Sequence, residues 1–222
     1  MIDGNMLLTE YGRGRKIRAR GIDTFDDLVE FADGIGRKIA RMLNVEDFAG
    51  AVPAEIEAAL LPVMRKAYGD VSGVALGIQT ANLRKLGLGL SAVGPEFNAD
   101  AIRELAEELA GREFTAEFLE NLIAKQIIKG VDDTVQTNAE ANAEMGLKTH
   151  IIRTYSDVGL MQGTKYAQDC EWCLSRCGEW DDVREAISAG AFERHPGCLC
   201  RIEYAVGRTH TVSTNRSNWR RM

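Results

Sequence analysis

The chain has 222 residues, 45% hydrophobic and 27% charged, with a formal net charge of −6. That length and composition suit one medium domain, or a domain with a small appendage, able to bury a real core. The acidic balance argues against a protein that coats nucleic acid. No run approaches the about 20 apolar residues of a membrane span. Met1–Leu8 has neither a basic start nor a sustained apolar run, so a cytosolic product without a signal peptide is expected.

Residues 1–22 read as a basic arm. YGRGRKIRAR (11–20) carries Arg13, Arg15, Lys16, Arg18 and Arg20 and no carboxylate. A helical body is expected over 23–147. Its first helix runs from Asp23 to Leu43, capped by Asp23 or Thr24 and weakened at Gly34 and Gly36. Pro53 sits where helices start, and Ile56, Leu60, Leu61, Val63 and Met64 follow at helical spacing. Pro62 predicts a kink or restart, and Gly69, Gly73, Gly77, Gly87 and Gly89 predict an interrupted helix as far as Leu90.

Asn98 caps a helix over 99–110 that Gly111 ends. Thr115 caps the next, with Leu119, Leu122, Ile123, Ile127 and Ile128 on one side and Gly130 as its stop. A further helix, from about Asp132 to Met145, is so polar that it is expected to bury little unless a partner covers it.

The texture changes at Lys148. Residues 149–155 (THIIRTY) and 199–206 (LCRIEYAV) read as strands flanking the most specific feature of the chain. All five cysteines lie there: Cys170-Glu-Trp-Cys173-Leu-Ser-Arg-Cys177, then His195-Pro-Gly-Cys198-Leu-Cys200. An odd count of thiols speaks against a disulfide framework. CxxC spacing answered by HPxCxC is how a chain holds zinc, through four tetrahedral Cys/His ligands. The first reading is Cys170, Cys173, His195 and Cys198. The alternative replaces His195 by Cys200, with Cys177 as a spare thiol or a neighbour of the ligands. A metal-free core of buried thiols is the competing reading. Catalytic zinc finds Glu171 and Glu193 nearby but no HExxH and no HxE…PCxxC. Trp172 and Trp180 read as a hydrophobic lid, and His150 and His210 as structural.

Residues 148–206 thus form a Cys/His module and 207–222 a basic tail with Arg208, Arg216, Trp219, Arg220 and Arg221. The leading reading of the basic ends is a solvated terminus; the alternative is contact with phosphate or an acidic protein surface, and Trp219 either packs back onto the domain or serves there as an anchor or a stacking platform for a base. The fold class is α+β: a mainly helical body with a small C-terminal α/β module organised by the zinc-type site. Metal is expected to supply folding energy to the residues after about 147, leaving the helical body to stand alone.

The runs IIRTYSDVGLMQGTKYAQDCEWCLSRCG and FERHPGCLCRIEY resemble the C-terminal module of phage head-morphogenesis proteins of the Mu F-like minor head family. A strand with arginine precedes CxxC, a glycine (Gly178) follows, and an HPxCxC element leads into a strand. VDDTVQTNAEANAEMGLK and TVSTNRSNW are similar to the flanks of that module, so the resemblance covers about residues 130–220. The segment between Cys177 and His195 departs from the short proline-rich link of the wider family.

The resemblance implies a non-enzymatic minor structural protein of a tailed-phage virion. It would sit at the portal vertex or capsid interior, in several copies around a portal ring. Its partners would be portal protein, major capsid protein or packaged DNA, and its role head assembly or DNA delivery. The rival is a zinc-bearing nucleic-acid-binding protein or a metal-dependent nuclease. An ADP-ribosyltransferase is set aside for want of an ExE or QxE element.

Overall fold

The computed structural model describes residues 3–13, 22–155 and 170–206. Five helices come first: α1 (Gly4–Arg13), α2 (Phe25–Arg41), α3 (Pro53–Lys85), α4 (Asp100–Leu109) and α5 (Ala116–Glu144). A short 3-10 turn, Val45–Phe48, lies between α2 and α3. Then come β1 (Thr149–Thr154), α6 (Glu171–Leu174), β2 (Gly178–Trp180), α7 (Val183–Ser188) and β3 (Arg201–Val206). The strands make one antiparallel sheet in the order β2-β1-β3. Among the described residues no helix is long and apolar enough to cross a membrane.

The expected arm is helical over its first half. Leu7 and Tyr11 of α1 are buried, and the Tyr11 hydroxyl donates to Asp70 of α3 at 3.0 Å. Gly4 lies so close to Ala58 and Ala59 that an added Cβ would stand 2.8 Å from the Ala59 carbonyl oxygen. This is the turn of α3 at which Pro62 cannot donate to the carbonyl four residues back. α3 nevertheless continues through Pro62 without the restart that was one of the two expectations, and α1 packs on it there. Arg13 ends α1, exposed and paired with Glu10. Arg15, Lys16, Arg18 and Arg20 lie outside the described residues, as do Arg208, His210, Arg216, Trp219, Arg220 and Arg221.

Thr24 caps α2 by accepting from the Asp27 amide at 3.2 Å. The helix does not break at its glycines, because Gly36 is where α2 meets α5 backbone to backbone. A Cβ at Gly36 would sit 2.3 Å from Ala124 Cα. Gly69, Gly73 and Gly77 likewise lie inside one continuous α3. Gly87 falls just past its end, with φ +73°.

Thr115 caps α5 as the sequence predicts, accepting from Phe118 N at 3.1 Å. The helix then runs straight through Gly130, which packs against Tyr68 of α3. One face of the polar stretch after it is buried, because the polar groups on that face (Asp132, Thr134, Asn138 and Asn142) are matched within the chain. Asn138 accepts from Val93 N (2.7 Å) and donates to Val93 O (2.8 Å), holding the link between α3 and α4. Asn142 donates to the Tyr204 hydroxyl of β3 at 2.8 Å. Asp132 binds Arg194. Buried polar side chains satisfied in this way position elements instead of opposing burial.

The change of texture near residue 147 is not a break in the core. Ile151, Val183, Ala186, Ala191, Ile202, Tyr204 and Val206 belong to the same apolar cluster as the helices. Period-2 alternation puts Ile202, Tyr204 and Val206 on the face toward α5.

Two glycine substitutions are expected to act in opposite directions in chemical denaturation. Gly73→Ala adds a methyl that meets nothing within 4 Å and should stabilise by about 0.5–1 kcal/mol. Gly36→Ala must push α2 off α5 and should cost about 1–3 kcal/mol or more.

Candidate metal centre

Cys170 opens the single turn of α6, its carbonyl accepting from Leu174 N at 2.9 Å, and Cys173 lies on that turn. The second limb is a tight turn at 195–198, closed by Cys198 N donating to His195 O at 3.1 Å. Gly197 supplies the left-handed backbone it needs (φ +80°). The two limbs bring six soft donors together. His195 Nε2 lies 3.2 Å from Cys170 Sγ and 3.0 Å from Cys173 Sγ. Cys173 Sγ is 3.5 Å from Cys198 Sγ. The donors form two groups that share Cys173: Cys170, Cys173 and His195, and Cys173, Cys198 and Cys200, with donor atoms within 4.8 Å of one another in each. Cys177 packs against the cluster of Cys173, Cys198 and Cys200.

The fit to a cation is good. Metal–sulfur bonds of about 2.3 Å in a tetrahedron place ligands about 3.8 Å apart, so the Cys173–Cys198 pair at 3.5 Å need open by only a few tenths of an ångström, and every pair within each group lies inside 4.8 Å. His195 Nδ1 lies 2.7 Å from the Pro196 carbonyl oxygen. A carbonyl only accepts, so the proton belongs on Nδ1 and the Nε2 lone pair faces the sulfurs, the tautomer a metal requires. The surrounding thiols of Cys173, Cys177 and Cys198 pull the Cys200 thiol below its usual value. The neighbouring thiols of Cys198 and Cys200 together with burial push Cys173 up, and Cys200 together with burial pushes Cys177 up.

Two arginines that the sequence reading did not assign to the site face it. Arg153 of β1 is fully buried. Its Nη1 donates to the carbonyls of Gly190 (3.2 Å), Ala191 (2.9 Å) and Glu193 (2.7 Å), and its Nη2 lies 3.7 Å from Cys198 Sγ. Arg194 donates to Cys198 O at 3.1 Å and lies 3.8 Å from Cys198 Sγ. Arg194 also grips Asp132 of α5 with two nitrogens, Nη2 to Oδ1 at 2.8 Å and Nε to Oδ2, with 3% and 1% of the two side chains exposed. The sequence signal for Arg153 was its strand parity, which puts it on the buried face with Ile151.

Trp172 stacks under Arg176 (3.9 Å) and meets the His195 ring edge-on at 5.2 Å. Trp180 belongs to the main core, so the expected lid is Trp172 alone. His150 pairs with Asp181 (2.7 Å) and Glu179 (3.3 Å) on the β1–β2 side. Glu193 accepts from Arg176 at 3.1 Å. Compared with protein-family models, curated proteins and solved structures, the chain has no match in any of the three.

Removing the carboxylate at 132 would leave a buried guanidinium unpaired. Asp132→Ala should cost about 3–5 kcal/mol in urea unfolding, well beyond the effect of truncating the exposed carboxylate partner of Arg13.

Proposed function

We propose that the Cys/His cluster is a structural zinc centre and that the protein is a non-enzymatic minor component of a tailed-phage head, docked at the portal vertex or capsid interior. The observation that carries the metal reading is the convergence of four thiols, those of Cys170, Cys173, Cys198 and Cys200, and the Nε2 face of His195 from two limbs of the chain. Thiolate with imidazole is the ligand chemistry of structural zinc. An ion there ties residues 170–177 to residues 195–200, and Arg194 passes that tie to α5. The zinc module then serves as a rigid docking element. The virion reading rests on the resemblance of residues 130–220, and the basic ends would meet DNA or an acidic portal surface.

Because β1 and β3 share the main core, metal is needed by a narrower region than the whole chain after residue 147. Elemental analysis of the purified protein should find zinc. Chelation should open protease sites between residues 170 and 200 while residues 53–144 stay resistant. A metal-free protein with the same cleavage pattern in chelator overturns the zinc reading. For the virion, the protein should co-sediment with the cognate portal ring, and failure to do so in the zinc-loaded form overturns that assignment.

A further inference from the structure

The six donors exceed the needs of one tetrahedral ion, and they are not arranged as four ligands with two bystanders. Cys173 belongs to both three-member groups, and it is 2% exposed, as is Cys200. The first group, Cys170, Cys173 and His195, is half-exposed at Cys170 and His195. The second, Cys173, Cys198 and Cys200, is buried throughout, and Cys177 packs against it as the nearest further thiol. A single ion on either group strands soft donors of the other within bonding reach.

We propose that the centre holds two zinc ions that share the Cys173 thiolate, an inference that rests on the zinc reading above. The enclosed ion has Cys173, Cys198 and Cys200, and Cys177, which packs against these three, would swing in as the fourth ligand. The outer ion has Cys170, Cys173 and His195, with a fourth position on the half-exposed side. Charge supports the pairing. Two divalent ions on five thiolates and one neutral imidazole leave one net negative charge. Arg194 is already neutralised by Asp132. Arg153 is a fully buried cation whose Nη1 meets only backbone carbonyls, whose Nη2 faces Cys198 Sγ, and whose Nε has no hydrogen-bond partner among the described residues. A buried charge of that kind calls for an anion beside it, and the two-ion cluster supplies one matching unit of charge.

The test is metal stoichiometry on the full chain, by native mass spectrometry after zinc loading and removal of excess metal. Two zinc ions per chain are expected. One ion overturns the shared-thiolate proposal and leaves the structural zinc reading standing, whereas none overturns both. Cys177→Ser and Cys170→Ser should each lower the count from two to one. A count that stays at two in both variants overturns the ligand assignment. Should the variants fold poorly, the wild-type protein loaded with cadmium-113 decides alone. It should give two resonances with mutual coupling through the common sulfur, and a single resonance or two uncoupled ones overturn the proposal.

Discussion

The paired charge of Asp132 and Arg194 is the constraint on which the C-terminal half depends. Neither side chain is solvated, so each is tolerable only in the presence of the other. Asp132 is fixed by a long helix that is itself clamped between α2 and α3. Arg194 therefore has one place to go, and the residue after it is His195. The position of the histidine is thus dictated from the helical body, by a contact 62 residues distant in sequence. Arg153 does the same from the sheet, gathering the carbonyls of residues 190, 191 and 193 around one guanidinium.

These contacts explain why one core serves both halves of the chain. The helical body offers α5 as a spine with two uses. Its first half packs by apolar contact, and its second half exchanges hydrogen bonds with the link at Val93, with Arg194 and with Tyr204. A helix used on several sides has no single apolar stripe, so the usual amphipathic signature is diluted.

That dilution marks the limit of what the chain declares in one dimension. The Thr24 and Thr115 caps, the start of α3 at Pro53 and the strands around the cysteines were legible, because each depends on neighbours in sequence. The gathering of cysteines and His195 was legible through spacing and residue type. Gly36 and Gly130 were misleading as helix breakers, and Pro62 as a point of restart. Their local cost is outweighed by what sits against the helix, Ala124 for Gly36 and Tyr68 for Gly130, and sequence-local reasoning does not contain those partners. The same holds for α1, whose two buried residues are too few to give a periodic signal. It holds as well for the buried arginines, whose roles depend on groups from other elements.

The cysteine limbs join the sheet without linkers. Cys177 is followed directly by Gly178, the first residue of β2, and Cys200 directly by Arg201, the first residue of β3. Between them Arg153 of β1 stands opposite both Gly178 and Ile202. Any displacement of the sulfurs, by oxidation or by a change of bound ion, is therefore delivered to three adjacent strand ends with no slack to absorb it. The mechanical output of such a change would appear on the β-sheet and the helix behind it, far from the thiols where it began.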